Sequence, residues 1–170
     1  MKSNWQTKKL GDVCNFDRGL IYSKTDEVDF SGTAVLRANN IDPVTSTLNF
    51  SEIRYIKDDV EIPKNKRVMK GSMIICTASG SKSHLGKVAL IDKNYNFAFG
   101  GFMGQITPTK EVNSKYLFYN LTCDDYKSFI KKLSSGMNIN NLKFDYLENF
   151  DISLPPLPEQ RRIVKILDEV

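Results

Sequence analysis

Residues Ser153–Val170 read SLPPLPEQRRIVKILDEV. The prolines at 155, 156 and 158 end an extended run, because the residue before a proline is pushed out of the helical region. Pro158 suits a first helical position, where an N–H would be unpaired anyway. Glu159 then falls at the positive end of the helix dipole, while Leu157 is a poor N-cap. At ~100° per residue, Ile163, Ile166, Leu167 and Val170 share one stripe, with Arg161, Arg162, Lys165, Asp168 and Glu169 on the other side. The spacing 163, 166, 170 is that of a coiled-coil seam. From Pro158 to Val170 such a helix spans roughly 20 Å, a length that is marginal alone in water. Its apolar stripe therefore needs a surface, either the chain's own domain or a second helix.

Upstream, the 170-residue chain is long enough for one cored domain and short for two. Ten Phe and seven Tyr tilt the body towards strands. Gln6–Val13 reads as a short entry helix with Trp5, Leu10 and Val13 on one side. Strands are expected at Thr33–Arg37, Leu48–Ile56, Ser72–Cys76, Lys87–Ile91, Asn96–Phe99, Met103–Thr107 and Phe150–Leu154. After Pro108 the pattern turns helical, through Ser114–Leu121 and then a helix capped by Asp124 that carries Tyr126, Phe129, Ile130 and Leu133 on one face and ends near Ser134–Gly136. The fold class is α+β: a mixed sheet at 1–154 with late helices, followed at 155–170 by the proline junction and terminal helix.

Net charge is +4, but its distribution is uneven. From Glu61 to Leu90 one acid stands against Lys64, Lys66, Arg67, Lys70, Lys82 and Lys87. Such a local excess marks either a solvated face or a phosphate-contacting surface. The three cysteines are far apart and there is one histidine, which argues against a disulfide framework or a Cys/His zinc site. Reduced thiols, with no signal-length apolar start and no membrane-length run, fit a cytoplasmic protein.

Familiar catalytic patterns fail on inspection. Gly80–Val88, GSKSHLGKV, has five residues between its glycines where a phosphate loop has four, and Val88 stands where a hydroxyl would meet magnesium. Leu154-Pro155-Pro156-Leu157 lacks the polar and aromatic neighbours that would hold a flipped base. His84 has no nearby acid to orient it as a base. Pro155–Pro158 fits PxxP, but prolines ahead of a helix have a simpler role in aiming it. These residues point away from an enzyme.

The run LPPLPEQRRIVKILDEV resembles the junction in the specificity subunit of type I restriction–modification enzymes, where a target recognition domain hands over to a helical spacer. Other landmarks follow in that family's order: Trp5 with Leu10–Val13, Val35–Ile41 (VLRANNI), Lys70–Ile75 (KGSMII), Lys115-Tyr116-Leu117 and Met137–Leu142 (MNINNL). The resemblance implies a non-catalytic DNA-recognition part, directing a methyltransferase subunit and a restriction (translocase) subunit to a split site. S-adenosylmethionine, ATP and magnesium would belong to those partners, with no cofactor or metal on this chain. A full subunit of the family resembles two such domains joined by a pair of long helices. One domain with the start of one helix is then expected to be a half-subunit that pairs with a second copy, or a shortened piece.

On that reading Lys64, Lys66, Arg67, Lys82 and Lys87 position phosphates. Arg37, Asn39 and Asn40, then Thr77, Ser79, Ser81, Lys82, Ser83 and His84, are the loop candidates for base edges. Gly100-Gly101-Phe102-Met103 approaches the duplex, Gln105 offers the paired contact that suits adenine, and Met137 and Asn138 complete a further loop. Leu157, Ile163, Ile166, Leu167 and Val170 are the partner-binding stripe. The alternative is a shortened subunit that binds methyltransferase through this stripe without reading DNA.

Overall fold

The computed structural model describes residues 4–136 and 140–170. In chain order the elements are β1 (Gln6–Lys9), α1 (Leu10–Val13), β2 (Cys14–Arg18), β3 (Glu27–Val28), β4 (Thr33–Leu36), β5 (Arg54–Ile56), β6 (Met73–Cys76), β7 (Val88–Leu90), β8 (Ala98–Phe99) and β9 (Met103–Pro108). There follow α2 (Ser114–Asn120), α3 (Asp124–Gly136), α4 (Phe144–Leu147), β10 (Asp151–Leu154) and α5 (Leu157–Leu167). The strands form three sheets, ordered β1-β10, β2-β9-β6-β7 and β3-β5-β4-β8. Pairing is antiparallel except between β4 and β8. The α+β expectation holds.

β6 is the centre. Its run Met-Ile-Ile-Cys is apolar at every position, and all four residues are fully buried. Alternate side chains point to opposite faces of a strand. Met73 and Ile75 therefore enter a cluster with Leu117, Tyr126, Leu147 and Val164 on the helical side. Ile74 and Cys76 enter a second cluster with Leu36, Ile91, Phe99 and Met103, under the β3-β5-β4-β8 sheet. Burial pushes the Cys76 thiol up to about 11, so it is a packing group and not a nucleophile.

Three expected elements come out differently. Gln6–Val13 is helical only at Leu10–Val13, because Gln6–Lys9 finds a strand partner, running from Gln6 opposite Leu154 to Lys9 opposite Asp151. Leu48–Ile56 is strand only at Arg54–Ile56. Leu48 makes a single bridge to Ile41, and the Asn49 carboxamide oxygen accepts from the Ser51 N–H (3.0 Å), a local turn that breaks the ladder. Asp124 is the first residue of α3 and not its cap.

The terminal helix docks on the chain's own domain through one of its faces. Pro156 precedes α5 and Pro158 lies in its first turn. Leu157, Gln160 and Val164 form the inward stripe: Val164 and Gln160 are buried and Leu157 is partly so. Gln160 is fully buried, accepts from the Asn113 N–H (2.7 Å) and donates to the Glu111 (2.9 Å) and Pro155 (2.8 Å) carbonyls. At the far end Asp168 pairs with Lys115 (2.6 Å) and accepts from the Tyr119 hydroxyl (2.6 Å).

Gln160→Ala strands one buried and two part-buried backbone groups, so we expect a loss of about 2 kcal/mol in urea unfolding, with α5 released first. The Asp168 carboxyl is held below its usual range by Lys115 first and Tyr119 second. A depressed carboxylate adds stability above its unfolded pKa, and that stability is lost as pH falls through the folded value. Hydrogen exchange in α5 should therefore quicken relative to β6 below about pH 4, and Asp168→Asn should remove the difference.

Candidate nucleic-acid interface

The C-terminal ends of β2, β4 and β6 and the turn between β8 and β9 meet at one edge. Gly19 N–H donates to the Met103 carbonyl (3.0 Å), Leu20 N–H to Phe99 (2.7 Å) and Gly100 N–H to Leu36 (2.9 Å). A Cβ on Gly19 would sit 1.8 Å from the Gly100 oxygen, so only glycine permits this approach. The Phe102 carbonyl accepts three hydrogen bonds, from Thr77 N–H (2.9 Å), Ala78 N–H (3.1 Å) and the Thr77 hydroxyl (3.0 Å). Backbone contacts thus lock the loop after β6 to the Phe102 turn, and that turn to the segment after β2. Two large apolar side chains stand out from this platform: Phe102 is 72% exposed and Ile21 91%.

The edge gathers four of the candidates, Arg37, Ser79, Gly101 and Phe102. Arg37 lies beside Gly100, and its Nε is buried without a hydrogen-bond partner among the described residues. Asn39 is exposed, its amide near the Glu52 carboxylate (3.3 Å). Ser79, Ser81 and Ser83 are linked: Ser81 N–H donates to the Ser79 hydroxyl (3.2 Å), and the Ser81 and Ser83 hydroxyls share a bond of 2.7 Å. Lys82, Ser83 and Lys87 line a groove shared with α3. His84 Nδ1 lies 3.5 Å from Lys87 Nζ, and Lys64 is exposed.

Four candidates are internal instead. Asn40 is fully buried, accepting from Arg37 N–H (2.9 Å) and donating to the Asn49 carbonyl (2.9 Å). Thr77 is buried and bonded to Phe102, and Met103 is core. Gln105 lies in the fully buried stretch of β9; its oxygen accepts from Met69 N–H (2.8 Å) and the Ser72 hydroxyl (2.8 Å). These residues shape the edge and do not face a ligand. Lys66 and Arg67 also direct their charge at the protein, to the Arg18 carbonyl (2.7 Å) and Asn96 (2.8 Å). Met137 and Asn138 lie outside the described residues. Ile21 was missed, although an isolated Ile in a Gly-Leu-Ile-Tyr-Ser turn is its signal.

Among the described residues no cluster of His, Cys, Asp or Glu could hold a metal, and no helix is long and apolar enough to cross a membrane.

Residues 2–170 match the family described as type I restriction modification DNA specificity domain. The chain belongs to this family. Similar curated proteins are the type I restriction enzyme StySPI specificity subunit of Salmonella potsdam and the EcoKI specificity subunit of Escherichia coli K12. Each is 27% identical over 171 residues, covering 99% of this chain and 36% of the relative. The chain thus spans about a third of the length of these specificity subunits. Among solved structures, a chain from work on complex assembly and conformational transition of the type I R-M system superposes with TM-score 0.73 at 22% identity, covering 99% of this chain and 38% of that one. The HsdS subunit from Thermoanaerobacter tengcongensis gives 0.69 at 20% identity, covering 99% and 37%. The specificity-domain fold is therefore that of this chain.

For this specificity domain, Gln105→Leu should lower folding stability by about 1–3 kcal/mol in chemical denaturation, because Met69 N–H and the Ser72 hydroxyl lose their acceptor. The preferred DNA sequence, measured by selection from a random duplex pool, should stay the same.

Proposed function

We propose that this chain is a non-catalytic DNA-recognition part of a type I restriction–modification specificity subunit. It would act in the cytoplasm on double-stranded DNA. The observation that carries the reading is the locked edge: loops from three strand ends hold exposed Asn39 and Phe102 and half-buried Arg37 and Ser79 on one rigid platform, in a chain of the specificity-domain family. Arg37 offers the fork that suits guanine O6 and N7, Asn39 the amide that suits adenine, and Phe102 an apolar face for a thymine methyl. Lysines beside the edge, Lys64, Lys82 and Lys87, grip phosphates and set register without carrying sequence information.

Chemistry belongs to partners in this reading. A methyltransferase subunit brings S-adenosylmethionine, and a restriction subunit uses ATP and magnesium to translocate and cut. The outward stripe of α5, Ile166, Leu167 and Val170, beside an Ile163 that packs partly on the domain's own core, is the docking seam for a partner helix, from the methyltransferase subunit or from a second copy of this chain. Ile166 is 50% exposed, and Leu167 and Val170 are exposed as well, so the seam remains available after α5 has docked. Two copies joined there would read a symmetric, interrupted site.

In a titration with the methyltransferase subunit present, one duplex sequence should bind well above the rest, with affinity that falls steeply as salt rises. Arg37→Ala should cost about 1–3 kcal/mol and relax preference at one base position. If no duplex shows salt-dependent binding, the DNA-reading assignment is wrong and the interaction-module alternative stands.

A further inference from the structure

Between the Lys82–Lys87 turn and α3 lies a groove of about 340 Å³, with part of its rim formed by Pro43 and Ser46. Four lysines line it, Lys82 and Lys87 from the turn and Lys127 and Lys131 from α3, and no Asp or Glu does. Ser83, Thr122 and Ser134 add neutral hydroxyls, those of Thr122 and Ser134 donating to carbonyls of the helices. Two neighbouring acids lie outside the lining. Asp124 is 3.6 Å from Lys127 in a loose pair whose side chains are 99% and 68% exposed, and Asp42 is turned to its own loop, accepting from Val44 and Thr45 N–H.

The two walls are fixed against each other. Tyr126 is buried and its hydroxyl donates to the Gly86 carbonyl (2.9 Å). Gly86 has φ +76°, and a Cβ there would press on the Ile130 side chain at 2.8 Å, so glycine lets the turn pass beneath α3. Lys127 and Lys131 stand one helical turn apart on the same face, about 6 Å along the axis. Successive phosphates of one strand advance by about 3.4 Å along a duplex axis, so the pair spans about two of them. The loop Thr77–Lys82 connects the groove to the reading edge along the chain, with Lys82 in the groove lining and Thr77 bonded to Phe102 at the edge.

We propose that α3 and the Lys82–Lys87 turn form a track for one sugar–phosphate strand of the bound duplex, with Lys127 and Lys131 as its second row of phosphate contacts. The inference rests on the DNA-reading function and adds to it a helix outside the basic run at 61–90. Anion affinity here is sequence-blind: the track holds the duplex in register while the edge reads bases.

The test is Lys127→Gln/Lys131→Gln, two exposed positions, in complex with the methyltransferase subunit. Fluorescence anisotropy follows the preferred and an unrelated duplex across a salt series. Binding should weaken about tenfold on both duplexes alike, and the log–log salt slope should become shallower by about two. Lys132→Gln, on the same helix but outside the groove, should leave the slope near the parent's. An unchanged slope in the double variant, with Arg37→Ala still impaired, overturns the track and leaves DNA reading standing. Weakening confined to the preferred duplex, or loss of methyltransferase association with normal DNA binding, also overturns it. Absence of duplex binding by the parent complex would sink both ideas.

Discussion

A strand that is apolar at every position must be covered on both faces, and β6 imposes that demand on the whole chain. Met73 and Ile75 need one cover, Ile74 and Cys76 another. The sequence answers with two different layers. The late helices, together with the β1-β10 pair, close one side. The small β3-β5-β4-β8 sheet closes the other. At about 25 cal/mol per Å² of apolar surface, burial of such side chains supplies the main driving force, and no single polar contact rivals it. The layered arrangement has a consequence for position. The ends of β4 and β6 come from different layers, and they can share one edge only where the sheets are joined.

That join is made by backbone. The β8–β9 turn passes from one sheet to the other, since Phe99 pairs in the β4 sheet and Met103 in the β6 sheet. Gly19 lets its main chain come closer to that of Gly100 than any side chain would allow. The backbone hydrogen bonds there have no side-chain entropy to lose, and the Phe102 carbonyl accepts two of them plus one from the Thr77 hydroxyl. A loop held this way presents its side chains without first having to order itself, which favours tight reading of a ligand over adaptable contact. Exposure of Phe102 and Ile21 on so fixed a base is hard to account for by folding alone. Large apolar groups left in water at a rigid loop tip are more readily understood as contact groups.

The sequence made the central strand, the late helices and the final strand legible because each has a plain period and clear punctuation. It was less informative where partners are distant. Gln6–Lys9 carries a helix-like pattern and becomes a strand because β10, over 140 residues away, offers an edge. Cys14–Arg18 shows little alternation of its own, and its pairing is set by β9. The site followed the same rule. Arg37 and Phe102 could be found as loop residues after strands. Asn40 looked the same, yet its amide holds its own turn together, a use that only the contacts of Asn49 reveal. Gln105 and Met103 carried a warning that was available, since both sit within an expected buried strand. Lys127 and Lys131 could not be read from a linear charge run, because α3 reaches the Lys82–Lys87 turn only through the fold.

The terminal helix shows why a stripe count needs a partner count. Four apolar residues at coiled-coil spacing suggested one face, but α5 carries two. The face that docks has a glutamine at its centre, and Gln160 substitutes directional bonds for apolar area. Three hydrogen bonds to fixed backbone groups define an angle and a register, which greasy packing alone does so less sharply. The adjoining stripe of Ile166, Leu167 and Val170 is thereby left facing outward in a set direction, with Ile163 at its edge packed partly on the core. A helix aimed by its polar face and left apolar on the other can hand a rigid heading to whatever packs on it. Whatever packs on that stripe, the buried glutamine sets its direction as much as the apolar residues do.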